Sequence, residues 1–463
     1  MALAAALAAV ALGGSPAGAQ SPATFTVQVG VSSPHGAVQG FGFYPGIITI
    51  NAGDTVTWVL HSSEPHTVLF TNGAQIAPGS PAVMAPSGGS TFSTTGVFSS
   101  GLLFQGQTYS LTFPTAGVYV YQCGLHPDME GAVVVLPAGQ ALPYSAAQIY
   151  AQGQSQMQED LNAGYQAAAL TTVTTSPGAN GTTVYHVPSD VASPSTWTVP
   201  LASSSNPAVG GLATLDVTGP TTLSVSLSLS GLSASATYTA AIQAATTSSD
   251  GVLIDSLNSV TSSAAGSGTS QTALSGLFGI PGHLWFIVVR DASGNLIASG
   301  PINYPDYGSL RYFPAILTIH VGDQVVWSEP DVHEIHTVTF LAPGQTAPVF
   351  GTPASMAPAG GSVVRGHTFF NSGVIGPGQT YSLTFDAAGT YDYTCLLHDD
   401  LGMNGVIVVL AKTYTVRSGD TLRSIALSQL GSASLWSEIY SANRAEIGPD
   451  PNLIRVGQVL QMP

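Results

Sequence analysis

Apolar and polar residues alternate along most of this chain with the period-two rhythm of half-buried strands. Leu223-Ser-Val-Ser-Leu-Ser-Leu229 is the cleanest case, and Thr24 to Val31 follows the same rule. Ile47 to Leu60 (IITINAGDTVTWVL) reads as two strands joined at Gly53-Asp54, and Ile316 to Trp327 (ILTIHVGDQVVW) repeats that design. Turn signals recur about every ten residues, the mark of β-sandwiches. Tyr144 to Leu170 breaks the rhythm, because it has few helix breakers and many Ala and Gln, and it predicts a helix. A second β-pattern runs from about Trp197 to Ile302. The last fifty residues predict a strand, a Gly-Asp-Thr turn suited to cap a helix, two short helices and a closing strand. The expected fold class is mainly all-β: three sandwiches and a small α+β (βααβ) module.

Part of the chain occurs twice. GQTYSLTF at 106–113 returns unchanged at 378–385, and Cys123 and Cys395 stand equally far behind the two copies. Pro45, Gly53, Asp54 and Trp58 match Pro314, Gly322, Asp323 and Trp327 at one offset. Two copies make a duplication and not a solenoid, which needs at least three repeats. The expected division is a leader at 1–19, a first repeat domain at 20–137, a helical linker at 138–170, a β-sandwich at 171–305, a second repeat domain at 306–411 and a C-terminal module at 412–463.

Composition narrows the functions. Charged residues are 7% of the chain, against about a quarter in ordinary soluble domains, and the formal net charge is −16. Five of the eight Lys and Arg lie in 412–463, so no basic patch exists to neutralise phosphates, and nucleic-acid binding is excluded as a reading. The first nineteen residues are small, apolar and end in Ala-Gly-Ala, which predicts a signal peptide cut after Ala19 and an exported protein. That run is too short to span a bilayer, and no later stretch predicts a transmembrane segment.

Each repeat carries a donor set. Tyr119-Val-Tyr121-Gln-Cys123 alternates so that Cys123 faces inward at a strand end, and a turn at Gly124 or Leu125 brings His126 and Met129 round. The remaining donor comes from another strand: His66, eight residues after Trp58, and His336, nine after Trp327. Two imidazoles, a thiolate and a weak thioether suit a trigonal copper centre with a long axial Met. A Cys123–Cys395 disulfide is the competing reading of two cysteines outside the cell, and zinc is a second, though a thioether is softer than structural zinc usually takes. His333 reads as a non-ligand; His35, His61, His186, His283, His320 and His367 read as ordinary histidines.

At these residues both repeats resemble cupredoxins of the plastocyanin, amicyanin and azurin family, which implies Greek-key sandwiches binding type 1 copper. The resemblance implies that His66, Cys123, His126 and Met129 hold one copper and His336, Cys395, His398 and Met403 a second. It also implies that the rings of His126 and His398 lie on exposed loops as exits for electrons. LSVSLSLSGLSASATYTAAIQA and LWFIVVRDASGNLIASGPI resemble a CHRD-type sandwich, with Ala240, Ile242 and Gln243 where histidines are expected, so a spacer role follows. Tyr414-Thr-Val, Gly419-Asp-Thr-Leu422, Asn443, Pro451-Asn-Leu-Ile454 and Gly457-Gln-x-Leu resemble a LysM domain. Such domains bind peptidoglycan and other N-acetylglucosamine glycans, here through Gly419, Asp420, Thr421, Leu422, Asn452, Leu453 and Ile454.

The expected function is an exported, non-catalytic electron carrier with two type 1 coppers, anchored to the cell wall and serving a redox partner protein. Copper storage or delivery outside the cell is the alternative. An oxidase or nitrite-reductase-like enzyme needs further copper histidines, usually as His-x-His, and no such pair occurs.

Overall fold

The computed structural model describes residues 21–76, 80–126, 129–219, 222–244, 252–275, 285–331 and 334–462. The expected leader, Pro127, His283 and His333 lie outside the described residues, as does the side chain of His35. No helix among the described residues is long and apolar enough to cross a membrane.

Valine, isoleucine and threonine at alternate positions make two sheets in the first repeat. One runs Gln39–Tyr44, Thr24–Ser32, Thr55–Leu60, Thr108–Thr112; the other is built on Ile47–Asn51, Glu130–Leu136 and Gly117–Gln122. The repeated Gly-Asp turn pins the first strand to the rest. Gly53 takes φ 99°, and the Asp54 carboxylate accepts the N–H groups of Asn51 (2.8 Å) and Ala23 (2.7 Å), just ahead of Thr24–Ser32. Trp58 fills the space between the sheets with no exposure, edge-on to Tyr121 and Phe70 at ring distances of 5.2 and 5.9 Å.

The second repeat uses the same device with a different strand. Asp323 accepts from His320 N (2.9 Å) and from Thr183 N (2.8 Å), and Thr183–Pro188 pairs parallel with Gln324–Ser328. The second sandwich therefore draws its first strand from residues expected to belong to the middle domain. The sheet at 196–301 is inserted between that strand and the rest of the sandwich. The division at 305/306 is corrected accordingly: the repeat visible in the sequence begins near Pro314, and nothing at its offset marks the strand upstream.

The inserted unit is one eight-stranded sheet that curls until its edges meet, with Asn258 N donating to Thr272 Oγ1 (2.7 Å) across the seam. Leu223, Val225, Leu227 and Leu229 point into its core, as their alternation predicts. The predicted helix forms at Ala146–Leu170, with Ser145 and Gln148 making a capping box. It lies flat on the first sandwich and is no free linker. Gly153 sits so near Tyr44 that a Cβ would come within 2.5 Å of its carbonyl oxygen, and Asp160 accepts the Tyr44 hydroxyl at 2.6 Å. Tyr307–Gly308 then adds an edge strand from the second repeat to the first repeat's sheet. The C-terminal module pairs Lys412–Thr415 with Val459–Met462 around Leu422–Leu430, Trp436–Ala442 and a third short helix, Arg444–Ile447.

Candidate metal centres

Strand Gly117–Gln122 delivers Cys123 to one end of the sandwich. The chain then turns so that Met129 N donates to His126 O (3.1 Å) and Cys123 N to Met129 O (2.8 Å). His66 is fixed from the other side by a two-way backbone bridge with Leu103. Cys123 Sγ lies 3.8 Å from His66 Nδ1 and 3.5 Å from His126 Nδ1, and the two nitrogens are 2.9 Å apart. The second repeat reproduces the triangle: Cys395 Sγ is 3.8 Å from His336 Nδ1 and 3.6 Å from His398 Nδ1, with the nitrogens 3.2 Å apart. Neither cysteine is in a disulfide, so the disulfide reading falls.

These triangles fit one ion each. A first-row metal sits about 2.0 Å from imidazole nitrogen and about 2.3 Å from thiolate, so a trigonal arrangement puts sulfur roughly 3.7 Å from each nitrogen, as here, and the nitrogens roughly 3.5 Å apart, a few tenths of an ångström wider than these rings stand. Met129 and Met403 are fully buried in the same clusters as Cys123 and Cys395. Each sulfur also accepts a backbone N–H, from Thr67 or Thr337, at 3.4 Å. The hydroxyls of those threonines accept Gly124 N and Leu396 N, each at 2.7 Å, and lock the turn after the cysteine.

The expectation of exposed rings fails. His126 is 5% exposed and His398 1%, because the two repeats meet at their metal-binding ends. His126 Nε2 lies 3.0 Å from Glu334 of the other repeat, and His398 Nε2 lies 2.8 Å from Glu64. Each repeat thus supplies the carboxylate that holds the other's imidazole. Glu334 also reaches His398 Nε2 at 3.6 Å, so it touches one ring from each donor set. An imidazole whose Nε2–H is held by a carboxylate presents its Nδ1 lone pair to the ion.

Without metal the donors form charge pairs. Burial pushes the Cys123 thiol up, but the His126 ring and then His66 pull it well below the usual thiol range; burial and His398 act the same way on Cys395. Burial lowers His398, but Glu64 and Cys395 outweigh it and raise it to about 10. Glu64 in turn, although buried, is held down to about 2 by His398 first and then His126.

The carboxylates were legible only in part. Glu64 and Glu334 each stand two residues before a ligand histidine, a repeated acidic position in a chain with few charges. Asp190 and Glu329, which approach His336 Nε2 at 3.2 and 3.5 Å, carry no such signal.

In the C-terminal module, Asp420 accepts Arg417 N (2.7 Å) and the Tyr414 hydroxyl (2.8 Å), and Thr421 caps the helix Leu422–Leu430. Gly419 forms the turn at φ 90°. Leu422 is a core residue, and the partly buried Ile454 packs against that core. Asn452 holds Asp450, and Leu453 stands exposed.

Two imidazoles and a thiolate at one end of each sandwich, with a buried methionine closing the turn behind them, define a copper-binding β-protein. Residues 28–136 and 303–410 match the copper binding proteins of the plastocyanin/azurin family, and residues 414–463 match the LysM domain. The amicyanin of Paracoccus denitrificans is 37% identical over 86 residues, 19% of this chain and 52% of that protein; the chain thus spans about half of its length. A plastocyanin of Scenedesmus fuscus is 34% identical over 112 residues, 24% of this chain and 97% of its own. The amicyanin of Paracoccus versutus is 33% identical over 138 residues, 28% and 91% of the two chains. Its crystal structure covers 24% of this chain and 81% of its own, with 27% identity and a TM-score of 0.18. The protein belongs to the plastocyanin/azurin family of copper binding proteins, through two cupredoxin domains, and ends in a LysM domain.

Proposed function

We propose that the protein is an exported electron carrier with two type 1 copper centres, held at the cell wall by its LysM domain, and not an enzyme. The observation that carries this reading is the pair of superimposable His–Cys–His triangles, each with a buried methionine in its cluster. Bound copper supplies one-electron exchange. The protein supplies a donor set of mixed preference that suits both oxidation states, held rigid by two sheets, so little rearrangement accompanies the change.

The chain's own residues do the rest. Thr67 and Thr337 hold the thiolates through backbone N–H groups, and Glu64 and Glu334 orient the imidazoles from the opposite domain. The Glu334 carboxylate lies within ion-pair distance of both His126 and His398, between one donor set and the other. Because the ligands are sealed in the domain interface, an ion that is kept fits better than one that is handed on, which favours the carrier over storage or delivery. The LysM domain implies binding to a glycan containing N-acetylglucosamine, and peptidoglycan is its proposed anchor.

Metal analysis with visible and EPR spectra of the copper-loaded protein tests the centres. Two coppers and an intense blue band are expected, falling to one copper with Cys123→Ser or Cys395→Ser. A colourless adduct that shows no such signal would remove the type 1 assignment. Sedimentation with purified peptidoglycan tests the anchor: the full chain should be retained, and a chain lacking 412–463 should not.

A further inference from the structure

The two centres match at every donor atom, yet they differ immediately behind one ligand. Both thiolates accept one threonine N–H at 3.4 Å, and both loop histidines, His126 and His398, rest on a glutamate from the opposite domain. The divergence lies at the other imidazole. His66 Nε2 is fully buried and has no hydrogen-bond partner among the described residues. His336 Nε2, equally buried, lies 3.2 Å from Asp190 Oδ2 and 3.5 Å from Glu329 Oε2.

The repeat identifies what changed. Leu60 exchanges backbone hydrogen bonds with Gly106 and Gln107, and Glu329 makes the same two bonds with Gly378 and Gln379. Leu60 and Glu329 therefore occupy one position. The parallel registers, Gln28 beside Val59 and Pro188 beside Ser328, bring Gly30 and Asp190 to one position as well. At Gly30 a Cβ would stand 2.6 Å from His66 Nε2, so only glycine leaves room for that ring. The first centre has glycine and leucine where the second has two acids. The Asp190 carboxylate is built in: its Oδ1 accepts the N–H groups of Val191 and Ser309, which leaves Oδ2 for the ring. Glu329 is held likewise, by the Ser189 hydroxyl (2.7 Å) and Asp331 N (3.0 Å).

We infer that the two centres are tuned to unequal potentials, with Asp190 and Glu329 acting as positioning residues that make His336 the stronger donor. The inference rests on the copper reading above. A carboxylate accepting the Nε2–H pushes electron density onto the ring and raises its basicity as a ligand. This stabilises the oxidised state of the second centre. The His66 ring has no such acceptor among the described residues, so in a molecule carrying a single electron that electron resides at the first centre.

The test uses the full chain with one centre disabled at a time, Cys395→Ala leaving the first and Cys123→Ala leaving the second. Potentials come from spectroelectrochemical titration, and separate Cu(I) and Cu(II) affinities from chelator competition. The first centre should prefer the reduced ion at least tenfold more than the second, a separation of about 59 mV or more for one electron. In the Cys123→Ala background, Asp190→Asn and Glu329→Leu should each raise the potential by weakening Cu(II) binding more than Cu(I) binding. Equal potentials, a reversed order, or variants that lower both affinities alike would overturn the inference. Absence of a blue centre in both single-site proteins would instead overturn the copper reading, and this inference with it.

Discussion

Removal of Glu64 should loosen the metal-free protein in a way that depends on pH. Its carboxylate lies 2.8 Å from His398 Nε2 in a contact where both side chains are at least nine-tenths buried. Glu64 titrates at about 2 instead of its ordinary 4.5, and each tenfold change in proton affinity is worth about 1.4 kcal/mol, so the pairing contributes on the order of 3 kcal/mol. Breaking a buried ion pair by removing one partner costs about 3–5 kcal/mol, in agreement. The sign follows from both partners. Glu64 is depressed, so its contribution is complete above pH 4.5 and fades as pH falls through about 2. His398 is raised, so its contribution is complete below pH 6.5 and fades as pH rises through about 10. Calorimetry of the metal-free Glu64→Gln protein at pH 5.5 should show a cupredoxin transition lowered by about 6–12 °C, taking 2–4 °C per kcal/mol. At pH 10.5 the difference from the parent should nearly vanish. An equal loss at both pH values, or none at pH 5.5, would refute the ion pair as the source of stability.

Three further outcomes follow from the same geometry. Copper binding at pH 7 should release protons chiefly from the imidazole rings, since Cys123 and Cys395 are held as thiolates; calorimetry in buffers of different ionisation enthalpy measures the count. Because His126 and His336 are raised well above 6.5, protons already compete with copper near neutrality, and affinity measured by chelator competition should fall steadily as pH drops from 8 to 6. Trp327→Ala, at a fully buried position between the sheets, should cost about 3–5 kcal/mol in denaturant unfolding of the second cupredoxin domain.

The donor atoms were readable because chemistry there is local. Cys123 and His126 need only a strand end and a turn between them, and the recurrence of the whole pattern at Cys395 and His398 separated signal from chance. Alternation likewise revealed the strands, and the capping residues Ser145 and Gln148 lie within the stretch read as a helix. What the sequence concealed was contact between distant segments. Asp190 is 146 residues from His336, in a stretch with no repeat partner to mark it. Docking of the two metal-binding ends depends on Glu64 and Glu334 meeting rings 334 and 208 positions away, and no period or spacing encodes such a meeting. For the same reason the sequence suggested exposed rings where the structure buries them.

The strand Thr183–Pro188 has a consequence for biosynthesis. All four candidate donors of the first centre have been synthesised once residue 136 is made, and that sandwich needs only one late edge strand, Tyr307–Gly308. The second sandwich holds an early strand in waiting while the whole inserted sheet is translated, and it closes only when Glu130's late counterpart region, Asn404–Leu410, arrives. The first cradle is therefore complete in sequence some two hundred residues before Glu334, which covers His126, is added to the chain.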